Sequence, residues 1–299
     1  MNTNSDQANQ SIWRFLKMPI KNWQGISIIW QRELLLFWRN KIKVFTSIFL
    51  PFILVLIFGK GMNAMLPDNI LGFDFANFFY SGVLVLSVVV AVFDSTISLV
   101  WDKEFGFMRE ILAAPLLKTE VALGKLLGAT TRGVIQGILT LMAAPFLNIQ
   151  ISLPSILLCL LFIFLISIGM AGLGIIISSK ISRMETFSVL MQIVIGPLVF
   201  LSGAFFPLEK TPLWMQTISH YDPLFYAING LRFILGNKFV SAELSESIYY
   251  NFNFCFFITF SFALAMFIGA ILAFNRLSIF KAIIKLIEED NGNEPDTTG

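Results

Sequence analysis

Charged residues are scarce in this sequence. Asp, Glu, Lys and Arg make up 13% of its 299 residues, against roughly 25% in a typical soluble domain. Hydrophobic residues reach 56%, and 32 residues are Phe. A single soluble core could not hide this much apolar surface from water, so the composition argues against a soluble protein. The net charge is only +2, which gives no indication of a nucleic-acid partner.

Residues that bind metals or nucleotides are equally scarce. With one His and two Cys, no zinc site can be assembled, and both Cys159 and Cys255 lie in apolar runs as small buried hydrophobic residues do. An ATP-binding loop needs Gly, four residues and then Gly-Lys-Ser or Gly-Lys-Thr. At Gly124-Lys125 the first Gly is replaced by Thr119, and Leu126 follows the Lys. We therefore expect the chain to bind no cofactor of its own.

Long apolar runs take up most of the remaining sequence. A membrane-spanning helix needs about 20 apolar residues, because ~30 Å of hydrocarbon is crossed at ~1.5 Å per residue. Six segments qualify: 44–65, 78–101, 126–147, 154–178, 187–206 and 249–274. The ten-residue alternation of a membrane barrel is absent. The sequence thus predicts an all-α polytopic membrane protein with a tail (1–43), a transmembrane domain (44–274) and a second tail (275–299), whose last residues are polar and acidic.

The basic residues indicate how these segments are oriented. If the N-terminus is cytoplasmic, only four of the 21 Lys and Arg lie on the outer side: Lys60, Lys210, Arg232 and Lys238. Since cytoplasmic loops are enriched in Lys and Arg, we expect both termini in the cytoplasm. Because residues 1–43 contain no short apolar core followed by a cleavage site, we expect no removable signal peptide before the first span.

The N-terminal tail has the composition of a helix lying at the membrane surface. Four of the six Trp precede residue 40, and Ile26, Ile29, Trp30 and Phe37 recur at helical spacing. Trp beside basic residues is typical of an interfacial amphipathic helix. Such a helix could transmit force into the first span, or it could serve only as a membrane anchor.

A charged segment, WDKEFGFMREILAAP, interrupts the apolar pattern after the second span. On a helical wheel its apolar arc comprises Phe105, Phe107, Met108, Ile111 and Leu112. Lys103, Gly106, Arg109 and Glu110 take the other side, and Glu104 is expected at the helix start, where carboxylates are favoured. The pattern predicts a short amphipathic helix that ends before Pro115. Simple chain reversal would need fewer residues, so the length and the balanced charge favour docking to a protein.

Two charges are predicted inside spans. Asp94 lies seven residues before Trp101, and Arg132 lies six residues after Leu126, at depths of ~10 Å and ~9 Å for a helical rise of ~1.5 Å. We expect the two to pair, either between spans two and three or across a dimer, because an isolated charge is costly there. Alternatively, Arg132 extends to the membrane surface and Asp94 faces a wet cavity alone.

Small residues recur at four-residue spacing in the third span, at Gly124 and Gly128 and again at Gly133 and Gly137. Such spacing lets helix backbones approach closely. The approach could occur within one subunit or between two copies.

Two motifs resemble those of the ABC type-2 (ABC-2) permeases, the membrane subunits of ATP-driven exporters. The first comprises Glu104-Phe105-Gly106, Arg109-Glu110, Pro115 and Leu123-Gly124-Lys125. The second comprises Leu201-Ser202-Gly203, Phe206-Pro207 and the run YDPLFYAINGLR from Tyr221 to Arg232. The chain departs from the family in having Asp222-Pro223 where Asn-Pro is usual. The resemblance covers roughly residues 20 to 275.

The resemblance implies a specific assignment of residues. The amphipathic helix would be a cytoplasmic coupling helix that docks on a separate ATPase subunit, which carries ATP and Mg²⁺. Its docking residues would be Glu104, Phe105, Gly106, Met108, Arg109, Glu110 and Leu112. Short re-entrant helices on the outer face, between spans five and six, would close the exit. The residues of this outer gate would be Pro207, Tyr221, Asp222, Pro223, Tyr226 and Arg232.

The family further implies a homodimer or heterodimer of permeases in the lipid membrane, beside two ATPases. A route rich in Phe, Leu and Met suits an amphiphilic substrate exported outward, such as a lipid, a lipid-linked glycan or a hydrophobic drug. A secondary transporter is the alternative, although it usually needs several intramembrane acids or duplicated halves, and a channel or scaffold subunit is another. The Phe, Ile and Asn content is typical of an AT-rich genome, hence of a bacterial plasma membrane or a plastid membrane.

Overall fold

The computed structural model describes residues 23–65, 75–113, 116–147, 149, 151–208, 211–235 and 251–291, and within these ranges it consists of helices and connecting turns with no strand. The α-helices are α1 (Trp23–Arg39), α2 (Lys41–Leu54), α3 (Gly61–Met65), α4 (Phe75–Glu104), α5 (Phe107–Ala113), α6 (Lys118–Leu141), α7 (Leu153–Lys180), α8 (Met184–Leu201), α9 (Leu213–Ser219), α10 (Pro223–Leu235) and α11 (Phe252–Asn291). A π-helical segment (Val55–Lys60) joins α2 to α3.

Local sequence accounts for several of the helix ends. Asn40 separates α1 from α2, and its side-chain Oδ1 accepts the N–H of Lys43 at 3.0 Å, which satisfies a free donor at the start of α2. Ser152 caps α7 in the same way, through the N–H of Ser155 at 3.4 Å. Pro51 lies inside α2 and has no N–H to donate, and the π-helical segment begins four residues later at Val55.

The core is centred on α4, which packs against α2, α6, α7, α8 and α10. Tyr80, Val83, Leu84 and Val88 of α4 are completely buried. Helix α7, which packs against α4, also packs along α11. By contrast, α2, α8 and α11 expose many large apolar side chains, as expected of surfaces that face lipid.

Five helical stretches in the described residues are long and apolar enough to cross a membrane. These stretches are Lys41–Lys60, Phe75–Glu104, Leu153–Lys180, Met184–Leu201 and Phe252–Phe274. The expectation of an all-α polytopic membrane protein is therefore confirmed. The predicted third span corresponds to α6, which has 24 residues but carries charged side chains along its length and is not apolar enough to be counted with the five.

Two of the predicted segment bounds differ from the helix ends that the structure shows. The predicted fifth span reached residue 206, but α8 ends at Leu201, and a turn with Gly203 at a φ of 71° follows. The predicted second tail began at residue 275, whereas α11 continues to Asn291. Residues 1–22, 236–250 and 292–299 of the predicted tails, loop and sixth span lie outside the described residues.

The N-terminal helix α1 packs along α6 rather than standing apart from the bundle. The predicted apolar face is real, but Ile26, Ile29 and Phe37 are buried against protein. The close contact uses the small residues of α6, since a Cβ at Gly124 would lie 2.7 Å from the Cβ of Ile29. Likewise, a Cβ at Gly137 would lie 2.5 Å from Cγ2 of Ile163 in α7. These glycines thus serve packing within one subunit.

The two ends of the bundle have different chemistry. At one end, here called the charged end, α1 lies beside the end of α4 and the starts of α6 and α8. The residues that define this end are Arg32, Asp102, Lys103, Lys125 and Met184. The opposite end collects the start of α4, the turn after α8 and the short helices α9 and α10.

Candidate functional site

At the charged end, α4 stops where the predicted amphipathic helix was expected to begin. Helix α4 runs through Glu104, and Gly106 then adopts a φ of 84°, a left-handed conformation that favours glycine. The Gly106 N–H donates to the carbonyl of Lys103 at 3.3 Å, and α5 follows from Phe107. The predicted short helix is therefore present as α5, which ends at Ala113, but its start was predicted too early, because the chain bends at Gly106 and leaves Lys103 and Glu104 in α4.

The bend leaves three aromatic side chains exposed at the charged end. Trp101, Phe105 and Phe107, here called the aromatic junction, are 47%, 57% and 50% exposed. The rings of Trp101 and Phe105 lie 4.9 Å apart, between their centroids. Large aromatic side chains in water are costly unless another surface covers them, so this junction is a candidate interaction surface.

The other predicted docking residues take different positions. Met108 is buried in the core, so it does not share the exposed surface of Phe105 and Phe107, while Glu110 is exposed. The side chains of Arg109 and Leu112 lie outside the described part of the structure, as does Pro115. The apolar arc of the helical wheel is therefore split between the core and the surface.

Glu104 caps a helix, but a different helix from the one expected. Its carboxylate Oε2 accepts the N–H of Met184 at 2.9 Å, at the first turn of α8. Next to it, the Lys103 ammonium donates to the carbonyls of Ser178 and Ser179 at 2.6 Å each, at the end of α7. The two side chains attach the end of α4 to the α7–α8 connection, so the junction is held by charge-assisted hydrogen bonds.

Four charged side chains form a buried ion network just inside the charged end. Asp102 receives two hydrogen bonds from the Arg32 guanidinium, at 2.6 and 3.0 Å. The Lys125 ammonium lies 2.5 Å from Asp102 Oδ2 and 2.7 Å from Glu33 Oε1. The side chains of Glu33, Asp102 and Lys125 are at most 4% exposed. This network joins α1, α4 and α6. The hydrogen bonds that Arg32 donates to Asp102 raise the pKa of the Arg32 guanidinium.

The sequence analysis did not identify this network, although one signal was available. Glu33 follows Ile29 by four residues and precedes Phe37 by four, so helical spacing places it on the buried face of α1. A carboxylate on such a face requires a buried cation as its partner.

A second group of charges, the middle ion cluster, lies deeper along α4. Arg132 Nη2 is 2.5 Å from Asp94 Oδ2, and the Lys43 ammonium is 2.6 Å from the same oxygen. The structure thus brings Asp94 and Arg132 together within one subunit and adds Lys43, which the sequence analysis had placed in the tail. The Arg132 guanidinium also lies 4.8 Å from the ring centre of Phe37, a distance at which cation–π attraction acts.

Three adjoining cavities, together called the cleft, run along the face formed by α1, α2 and α4. The cavity nearest the charged end has a volume of about 450 Å³ and includes Trp101 and Phe107 in its lining. It shares Phe37 and the middle ion cluster with the next cavity, of about 280 Å³. That cavity shares Leu54 and Leu86 with a third, of about 430 Å³, whose remaining lining is apolar. The cleft is therefore charged in one half and apolar in the other.

At the opposite end, the predicted gate residues lie around two short helices. Asp222 caps α10, accepting the Leu224 N–H at 2.8 Å through Oδ1, and burial raises the pKa of its carboxyl to about 7. Tyr226 donates its hydroxyl to the His220 carbonyl at 2.8 Å. Pro223 begins α10, Pro207 lies in the turn after α8, and Tyr221 is exposed at the surface.

Arg232 links α10 to the rest of the opposite end. Its guanidinium donates to the Gly203 carbonyl at 2.7 Å and to Ser81 Oγ at 3.2 Å, and it lies 3.6 Å from the ring centre of Phe78. A buried cation with these partners fixes α10 to α4 and to the turn after α8. The gate residues are thus brought to one end, although Tyr221 is not part of this packing.

Within the described part of the chain, no cluster of three or more His, Cys, Asp or Glu residues could hold a metal ion. Cys159 and Cys255 are free and buried, in agreement with their expected role as small hydrophobic residues.

Comparison with known proteins gives a family for this arrangement. Residues 24–236 match the family model described as ABC-2 type transporter. The ycf38 protein of Porphyra purpurea, which is described as a transport permease, is 30% identical over 218 residues, covering 72% of this chain and 75% of that protein. The inner membrane transport permease YadH of Escherichia coli K12 is 26% identical over 214 residues, with 71% and 82% coverage. Nodulation protein J of Sinorhizobium fredii is 24% identical over 218 residues, with 72% and 82% coverage.

Proposed function

The chain belongs to the ABC-2 type transporter family, and from this premise we propose that it is the permease subunit of an exporter driven by a separate ATPase. It would move an amphiphilic substrate, such as a lipid, a lipid-linked glycan or a hydrophobic drug, outward across the membrane. ATP and Mg²⁺ would be bound by the partner subunit. The observation that carries this proposal is the aromatic junction, which lies directly at the end of the central helix α4.

The junction has the properties needed to receive force from a partner. Trp101, Phe105 and Phe107 offer an apolar surface that a groove on an ATPase could cover, and exposed aromatic anchors of this kind dominate binding energy at interfaces. The surface is continuous with α4, and Lys103 and Glu104 attach it to α7 and α8. A push on the junction would therefore move the ends of three helices together.

This role places the charged end in the cytoplasm, with both chain termini on the same side. Helix α6, which corresponds to the predicted third span, would then bring the number of spans to six despite its charges, because Lys125 is covered by Glu33 and Asp102, and Arg132 by Asp94. Paired charges facing the bundle interior are tolerated where charges facing lipid are not. In this arrangement α1 is an interfacial helix on the cytoplasmic side that packs along α6, and the ion network lets it transmit force as well as anchor.

The opposite end would face outward, with α9 and α10 as short re-entrant helices that close the exit. Arg232 would hold this gate shut by fixing α10 to the turn after α8, and Asp222 would support it by capping the start of α10. Two permeases, identical or different, would form the route beside two ATPases. The composition suits a bacterial plasma membrane, with a plastid membrane as the alternative, and the similarity to YadH, an inner membrane transport permease of Escherichia coli, supports the former.

The proposal is tested by co-expressing the chain with each ABC ATPase subunit of its own genome in turn and purifying the complex in detergent. We expect the ATPase to copurify and the double variant Phe105→Ala/Phe107→Ala to release it, because the variant removes most of the exposed contact surface. Trp214→Ala is the matched control, since Trp214 is equally exposed but lies at the opposite end. Retention of the ATPase by the double variant, or release by the control, would contradict the proposed docking site.

A reconstituted system separates the exporter from its alternatives. In proteoliposomes that contain the complex, transport of a fluorescent lipid should require ATP and should fail with a non-hydrolysable analogue. Transport that follows an imposed proton or sodium gradient in the absence of ATP would identify a secondary transporter instead. Passive flux without either energy source would identify a channel.

A further inference from the structure

The cleft along α1, α2 and α4 has a graded lining that extends over its whole length. Lys43, Asp94 and Arg132 lie where the two charged cavities meet. Beyond Leu54 and Leu86 the lining becomes aromatic and aliphatic, through Phe58, Phe79, Phe200 and Phe205. A ligand that filled the cleft would need a polar group at one end and an apolar body at the other.

Among the described residues that line the cleft or pair with its lining, positively charged side chains outnumber carboxylates. The cations are Arg32, Lys43, Lys125 and Arg132, and the carboxylates are Glu33, Asp94 and Asp102. Arg32 and Lys125 are matched by Asp102 and Glu33, so the unmatched positive charge falls on the middle ion cluster. There, the single carboxylate of Asp94 is shared by two cations through one oxygen.

Arg132 has donor capacity that the protein leaves unused. Its side chain is 7% exposed and lines both charged cavities. Its buried Nε–H has no hydrogen-bond acceptor among the described residues. An unsatisfied buried donor on a guanidinium is costly. Because this Nε–H is closed off from the cavity, an anionic oxygen there would be bound by the part of the guanidinium that lines the cavity, together with Lys43.

We propose that the cleft binds the substrate with its headgroup in the inner half of the membrane and that this substrate is an amphiphile with an acidic headgroup. The anionic oxygens contact Arg132 and Lys43, and the tail lies along Leu54, Leu86 and Phe205. The inference rests on the proposed function and narrows its substrate class, because a neutral headgroup would leave the positive charge of the cluster unmatched. A cationic headgroup would be repelled by Lys43 and Arg132.

The headgroup preference is tested on the permease alone, in nanodiscs of phosphatidylcholine, without the ATPase or nucleotide. Radiolabelled dodecyl phosphate is the probe, and dodecyl maltoside, dodecyltrimethylammonium and inorganic phosphate compete with it. We expect dodecyl phosphate to bind at least about ten-fold more tightly than each competitor, since a hydrogen bond to a charged group is worth about ten-fold or more in affinity.

Two substitutions in the cluster should act in opposite directions. Arg132→Gln should weaken the binding of dodecyl phosphate by about ten-fold or more, whereas Asp94→Asn should tighten it several-fold because it removes the competing carboxylate. A merely structural role would make both variants weaker. Lys43→Gln, at a half-buried side chain, repeats the test of Arg132→Gln if that variant does not fold. Lys41→Gln is the matched control, because Lys41 is exposed on the same helix and does not line the cleft.

Each other outcome overturns the inference. Equal affinity for dodecyl maltoside would make the cleft a general lipid-facing surface, and equal competition by inorganic phosphate would make it a site for a free anion. If no amphiphile binds and Val90→Cys cross-links two copies, the cleft is a contact between subunits. Because the assay omits the ATPase, a failed preference leaves the copurification test intact, and a failed copurification leaves the preference intact.

Discussion

Replacing Lys125 by Met tests whether the buried ion network holds α1 to the bundle. Met keeps the length of the side chain but removes the ammonium that lies 2.7 Å from Glu33 and 2.5 Å from Asp102. Asp102 would keep its two hydrogen bonds from Arg32, whereas Glu33 would keep only the Arg32 guanidinium at 3.6 Å. Removing one partner from a buried ion pair costs about 3–5 kcal/mol. Because Arg32 remains nearby, we expect the lower value, about 3 kcal/mol.

Thermal unfolding in nanodiscs measures this cost. For a chain of this size, 1 kcal/mol shifts Tm by about 2 °C, so Lys125→Met should lower Tm by on the order of 6 °C. Adding Glu33→Gln should restore most of the loss, since the uncompensated carboxylate is then gone. Lys118→Met, at the exposed first residue of α6, should leave Tm unchanged. The reasoning is refuted if Lys125→Met matches this control, or if the double variant is less stable than the single one.

Three further substitutions probe other contacts. Gly124→Leu should detach α1 and lower Tm by several degrees, because a Cβ at this position would lie 2.7 Å from the Cβ of Ile29. Gly61→Leu is the control and should leave Tm unchanged, because there is open space around Gly61. Equal effects of the two variants on Tm would contradict this prediction. Burial raises the pKa of Asp222 to about 7, so the fold favours the protonated carboxyl and loses stability as pH rises from about 4 to about 7. Asp222→Asn should remove that loss, so the Tm of the variant should exceed the Tm of the natural chain by more as the pH rises across this range. A Tm difference that does not change with pH would contradict the prediction. Arg232→Lys should speed hydrogen exchange of α10 by loosening its hold on the Gly203 carbonyl, and unchanged exchange would show that this hold is not limiting.

Most helices could be located from the sequence because long apolar runs leave little freedom in a membrane. The ends were harder to predict, since hydropathy does not show where a helix stops. The bend at Gly106 illustrates the difficulty. A helical wheel assumes a continuous helix, so it gives no sign of a break at Gly106, which follows the end of α4 and precedes α5. Only the backbone conformation, with φ at 84°, separates α4 from α5.

The pairing of Asp94 with Arg132 could be anticipated because matched depth on neighbouring helices is a geometric constraint. Lys43 could not be anticipated in the same way, because it lies at the start of α2 and reads as one more basic residue of the tail. Its contact depends on how closely α2 approaches α4, which the sequence does not determine. A lysine near a helix start can extend along the helix toward a buried carboxylate.

The burial of α1 shows a second limit. Its apolar spacing correctly indicates which face is covered, but an amphipathic helix buries the same residues against lipid or against protein. Here Gly124 and Gly128 on α6 have no Cβ, which leaves room for Ile29 and Glu33 of α1. The complementary pattern lies about 95 residues away in sequence, and no rule of local periodicity connects the two.

Helix α4 provides a direct physical link between the proposed docking surface and the proposed substrate cleft. Asp94 and Asp102 are separated by eight residues, or about 12 Å of helix, and the aromatic junction begins at the same end. Because α4 is continuous over this distance, a tilt imposed at Phe105 would move Asp94 relative to Lys43 on α2. The single oxygen that holds both cations would then release one of them. In the proposed cycle, force from the ATPase therefore changes the charge that the cleft presents to an acidic headgroup, without any long chain of intermediate contacts.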